Sequence, residues 1–187
     1  ADAADIATNV VKGFGLEISE LARVNDVLAL SASSTNQNIL EMAAAFRDSA
    51  PLASDLGLTV EDTAAMMGAL AGAGVKANVA GTSLKIGLQR LLVPTGGVLD
   101  TFQRLGVGLA EFRNAAGGLD VSGLMSALRG AGMDARDAID IFGAEAGTRM
   151  KVLVDAMHDG QGGVAALAAQ FKEAGGAAGQ MAAVQQQ

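Results

Sequence analysis

Two glutamates, Glu111 and Glu145, and a single histidine, His158, are the residues of this chain whose types invite a chemical reading. A pair of carboxylates can hydrolyse a glycosidic bond, one protonating the leaving oxygen and the other acting as base or nucleophile about 5 to 9 Å away. Such a pair normally works beside an aromatic platform for the sugar, and this chain has no Trp and no Tyr. His158 stands in Asp155-Ala156-Met157-His158-Asp159-Gly160, near the end of a predicted helix, where the helix dipole accounts for a cation without any further role. With no cysteine, thiolate metal ligation and a disulfide framework are both excluded. Gly106-Val107-Gly108 and Gly160-Gln161-Gly162-Gly163 follow no predicted strand, so they lack the phosphate-cradling setting of a dinucleotide or P-loop turn. The expectation is a protein that is not an enzyme, with no catalytic, cofactor-binding or metal-ligating residue.

The elements that would position any such residue are helices. Half of the 187 residues are hydrophobic and 18% are charged, which argues for a packed core and against a disordered tail. Twenty acidic against thirteen basic residues give a net charge of −7, and the Lys and Arg are scattered singly. Nucleic-acid binding, which needs a basic stripe, is therefore not expected. The uncharged stretch Thr63 to Val75 is shorter than the roughly 18 to 20 apolar residues of a spanning helix and reads as a buried core helix. The acidic start Ala1-Asp2-Ala3-Ala4-Asp5, with no initiator Met, is unlike a secretory signal and suggests a piece of a longer protein.

Apolar residues recur at helical spacing almost throughout. The stripes are Ile6, Val10 and Phe14; Leu21, Val24 and Leu28; Ile39, Met42, Ala43 and Phe46; Val60, Ala64, Met67 and Ala71; and Leu84, Leu88, Leu91 and Leu92. In the second half they are Val98, Phe102 and Leu105; Val121, Leu124, Met125 and Leu128; Ala146, Met150, Leu153 and Met157; and Val164, Leu167, Ala168 and Phe171. Between Gly106 and Asp120 the period is lost, and Asn114-Ala115-Ala116-Gly117-Gly118 reads as a turn, so a small β-hairpin or an irregular loop is expected near 106–120. The fold class is thus all-α, a compact multi-helix domain of short amphipathic helices. A soft boundary at Pro94 divides it into an N-terminal part, 1–93, and a C-terminal part, 94–187.

One local pattern occurs three times. Gly15-Leu16-Glu17-Ile18-Ser19-Glu20, Gly57-Leu58-Thr59-Val60-Glu61-Asp62 and Gly132-Met133-Asp134-Ala135-Arg136-Asp137 each carry a Gly, an apolar residue, a capping or acidic residue, and an acid three further on. The Gly suits the left-handed close of one helix, and the acid suits the positive end of the next. These junctions, together with Pro51 and Pro94, are expected to break the chain into helices that fold back on one another. Gly68-Ala69-Leu70-Ala71-Gly72 allows close approach of a second helix, within the chain or in an oligomer.

The run from Asp55-Leu56-Gly57-Leu58-Thr59-Val60-Glu61-Asp62 through Gly68 to Val75, then Ala80-Gly81-Thr82-Ser83-Leu84-Lys85 and Leu88-Gln89-Arg90-Leu91-Leu92-Val93-Pro94-Thr95, resembles the core region of phage tail tape measure proteins. Phe14-Gly15-Leu16, the stretch Ala22 to Ser33, and Ile141-Phe142-Gly143 with Ala146-Gly147 look similar to the same family. The resemblance implies a structural component of a phage or phage-like virion tail, with roles in tail length determination, tail assembly and genome ejection. It implies contacts with tail tube and tail tip or baseplate proteins, and self-association. Gly68, Gly72, Gly81, Leu84, Leu88 and Pro94 are the residues assigned to such interactions. Two other readings stay open: a membrane-active domain that inserts Thr63 to Leu92 into the host envelope in transient membrane contact, and a peptidoglycan-degrading domain built on Glu111 and Glu145.

Overall fold

An apolar stripe on a helix is hidden only by another helix, and in a chain this rich in Ala and Gly the axes can come close. The computed structural model describes residues 3–35, 37–115, 118–157 and 163–173, and among them it holds ten α-helices and no strand. In chain order these are α1 (Ala3–Gly13), α2 (Leu21–Ser34), α3 (Ile39–Asp55), α4 (Val60–Gly72), α5 (Ala77–Leu92), α6 (Gly96–Arg104), α7 (Val121–Gly130), α8 (Ala135–Phe142), α9 (Gly147–Asp155) and α10 (Val164–Lys172). The nine stripes fall on nine of them. The stretch Thr63 to Val75 is indeed core: it lies mostly on α4, where only Asp62, Ala69 and the final Gly72 are not buried. No described helix is long and apolar enough to cross a membrane.

Five helices end in the same way. Gly15, Gly57, Gly74, Gly106 and Gly132, at φ 65, 80, 84, 69 and 74°, close α1, α3, α4, α6 and α7. At each, the glycine amide donates to the carbonyl three residues back and the next amide to the carbonyl five back, all at 2.9 to 3.1 Å. Leu16 thus bonds Val11, Leu58 bonds Ala53, Val75 bonds Leu70, Val107 bonds Phe102 and Met133 bonds Leu128. This is the Schellman arrangement, and the apolar residue after each glycine packs on the core. Two of the three sequence copies then behave as expected: Thr59 with Asp62, and Asp134 with Asp137, form reciprocal capping boxes at the starts of α4 and α8. The first copy departs. Glu17 makes no cap bond; a 3-10 turn, Ile18–Glu20, leads into α2, and Glu20 bonds Arg23 instead of a backbone amide.

One expectation needs correction. Pro51 does not break a helix: it lies inside α3, one turn from its end, and both Pro51 and Arg47, whose carbonyl a proline cannot bond, are exposed residues. Of the two alternatives for 106–120, the described residues 106–115 and 118–120 form the irregular loop. It has a 3-10 turn at Leu109–Phe112 and one isolated antiparallel bridge between Arg113 and Leu119. The Leu119 amide donates to the Leu56 carbonyl at 2.9 Å, which docks the loop on the end of α3. Finally, α8 carries no stripe in the sequence reading, because its eight residues span barely two turns.

Helices from both sides of Pro94 pack together, α5 on α8 and α9, and α4 on α9 and α10. Helices α3 and α5 approach closely, and a Cβ on Gly81 would stand 2.7 Å from both Cα and Cβ of Ala45 and 2.8 Å from its carbonyl oxygen. Gly81→Ala must push these axes apart, and a loss of about 1 to 3 kcal/mol in urea unfolding is expected. Gly96→Ala, where a Cβ meets nothing within 4 Å, is the control and should be neutral or stabilising by less than about 1 kcal/mol.

Candidate functional site

A cleft of about 830 Å³ lies between α6 and α8 and is lined by Thr95, Val98, Asp100, Arg104, Asp134, Arg136, Asp137 and Asp140 among others. It exists because the junction at Gly132 and the capping box behind it aim the start of α8 at the end of α6. Asp137 is 4% exposed. Its carboxylate accepts the Asp134 amide at 3.1 Å and pairs with Arg104 Nη1 at 2.7 Å. Burial alone would raise the Asp137 pKa, but the Asp134 amide and the Arg104 guanidinium outweigh it and hold the carboxyl below its ordinary value. Arg104, paired with Asp137, is raised in turn.

The start of α4 is held similarly. Glu61, 4% exposed, sits in the first turn behind the Thr59–Asp62 box and pairs with Arg23 of α2. Burial works to lower the Arg23 pKa, and Glu20 and Glu61 together reverse it. Two more arginines cap helix ends across the fold. Arg90 of α5 donates to the carbonyl of Asp140 at 3.2 Å in the last turn of α8, and Arg129 of α7 donates to the carbonyl of Met157 at 3.1 Å after α9. These partners lie 28 to 50 residues apart, and nothing local in the sequence signals them.

The residues with chemical potential are not assembled. Glu111 lies in the 3-10 turn after α6, folded over Gly108. Glu145 lines a different cleft, of about 330 Å³, with Asp48 of α3, Asn78 and Ser83 of α5, and Arg149 of α9. His158 and most of the 160–163 glycine cluster lie outside the described residues. No group of three or more His, Asp or Glu among the described residues could hold a metal ion.

The residues assigned to interactions are mostly internal. Leu84 and Leu88 are fully buried, Gly81 faces Ala45, and a Cβ on Gly68 would stand 3.8 Å from Leu167 of α10 and from Thr35. Gly72 is exposed with open space around it, and Pro94 is half-buried in the link between α5 and α6.

A family model described as phage-related minor tail protein matches residues 1–144. The chain is 32% identical over 163 residues to the tape measure protein of Pneumococcus phage Dp-1, covering 83% of this chain and 14% of that protein. It is 31% identical over 179 residues to the probable tape measure protein of Escherichia phage P2, covering 92% of this chain and 22% of that protein. The chain therefore spans only a minor part of either relative's length. No solved structure matches it.

The Asp137 arrangement has a pH signature. A carboxyl whose pKa is lowered by folding adds stability that is complete above the ordinary value of about 3.9 and is lost as pH falls through the lower folded value. Asp137→Asn should therefore destabilise the domain by about 1 to 2 kcal/mol at pH 7, through the lost cap and the weakened pair. In urea titrations the difference between parent and variant should stay flat from pH 8 to 5 and narrow below pH 4. A difference that persists undiminished at the acid end would show that the charge of Asp137 is not what holds α8.

Proposed function

Because this chain belongs to the phage-related minor tail protein family, we propose that it is a folded structural domain of a tape-measure-type protein in the virion tail. It acts through protein contacts and not through chemistry. The observation that carries the reading is that the family match runs from the start of the chain through α8, so it takes in eight of the ten described helices and all five glycine junctions. The tape measure relatives support the same assignment.

The finer role follows from length. As one straight helix, 187 residues would reach about 280 Å at 1.5 Å per residue. Folded back at its junctions, this segment supplies no such span. We assign tail length determination to rod-like parts of the longer protein, and to this domain a fixed body that engages tail tube and tip or baseplate proteins, or further copies of itself, during assembly and genome ejection. The scattered placement of Glu111 and Glu145 gives a peptidoglycan-degrading reading no support, and the burial of most of α4 and much of α5 gives none to membrane insertion.

A length series in the phage tests this. An insertion of about 20 flexible residues after Ala115, in the exposed loop, should leave tail length unchanged in electron micrographs, whereas the same number of helical residues in a measured rod adds about 30 Å. A tail lengthened by that amount would mean that this segment is itself part of the ruler.

A further inference from the structure

Helix α6 is attached to the fold through one main partner. It is nine residues long, and α8 is the one described helix on which it makes an extended contact. Its buried side consists of Val98, Thr101 and Phe102, while Leu99 is 47% exposed and Val93, just upstream, is 70% exposed. A cleft flanks it on either side. The 830 Å³ cleft separates it from the start of α8, and another of about 350 Å³ lies between Leu99, Phe102 and Gln103 and the segment Gly106 to Leu109.

Both ends are built to bend. Upstream, Pro94-Thr95-Gly96-Gly97 leads in, the helix start has no side-chain cap, and neither Gly96 nor Gly97 has an atom within 4 Å of where a Cβ would stand. Downstream, Gly106 is left-handed at φ 69° and Gly108 follows two residues later. The ion pair between Arg104 and Asp137 ties the free end of α6 to the capped start of α8, and the Arg104 side chain is 56% exposed. An ion pair with one partner this open to water is screened by salt.

We infer that α6 is a hinged strap latched by Arg104 on Asp137. It swings away from α8 about the segments 94–97 and 106–108 while the other helices stay folded, opening the cleft beneath it and uncovering Val98 and Phe102. The opening is sub-global, of the kind that amide exchange resolves from complete unfolding. Salt and the loss of Arg104 act on the same step, since both weaken the latch. Residues that stiffen the upstream hinge act against it.

Hydrogen exchange of the full chain, read by mass spectrometry, tests the strap. The amides of residues 100–104 should exchange at least about ten times faster than those of α3 and α5. Arg104→Gln should speed them a further two- to five-fold or so, leave α3 and α5 unchanged, and abolish the acceleration that salt causes in the parent. Gly96→Ala with Gly97→Ala should slow them. Exchange of α6 at the rate of α3 and α5 would overturn the strap, and so would an Arg104→Gln variant whose α6 rate is that of the parent or still responds to salt.

Discussion

A left-handed glycine followed by an apolar residue is the unit on which the rest of this fold depends. An L-residue with a Cβ pays about 1 to 2 kcal/mol in that conformation and Gly pays nothing comparable, so the position of each such Gly decides where the chain can reverse. The reversal does two jobs. The paired bonds at Gly15, Gly57, Gly74, Gly106 and Gly132 satisfy carbonyls that the ending helix would leave bare. The residue that follows then drops into the core and sets the direction of the next helix. Without these turns the apolar stripes of a chain that is half hydrophobic would have nothing to close upon.

Charge is used sparingly and at a distance. Arg23 and Arg104 hold buried acids in the first turns of α4 and α8, while Arg90 and Arg129 reach carbonyls at the ends of α8 and α9. Helix α8, only eight residues long, is thus gripped at both ends. The planar, permanently charged guanidinium suits this task, because it can satisfy a carboxylate or a bare carbonyl without being fully buried itself. Four of the thirteen basic residues are used at helix ends in this way.

Legibility in the sequence followed the range of the interaction. Nine helices announced themselves by stripes, since that pattern is written within one segment. The junctions at Gly57 and Gly132 were readable because Thr59 and Asp134 carry capping side chains, whereas Gly74 and Gly106 were passed over because Lys76 and Gly108, standing in the equivalent place, carry none. Pro51 misled because a proline one turn from a helix end, at an exposed position, removes just one backbone bond. The arginine contacts and the packing of α10 on α4 were invisible, as each joins residues far apart in the chain. The same holds for the candidate site. Asp134 and Asp137 could be seen as a cap, but only the fold places Arg104 beside them. Gly81, Leu84 and Leu88 drew attention as apolar and small residues, and it is the tertiary packing that turns them inward.

This member of the phage-related minor tail protein family folds its helices back on one another around one core. Small-angle scattering of the 187-residue chain, collected on a size-exclusion peak of known mass, bears on that claim most directly. A radius of gyration near about 16 Å for the monomer is the expected result for a chain of this length closed around one core. A monomer above about 25 Å would contradict it, since that value needs the helices to be strung out along the chain and the junction glycines to leave them unpacked.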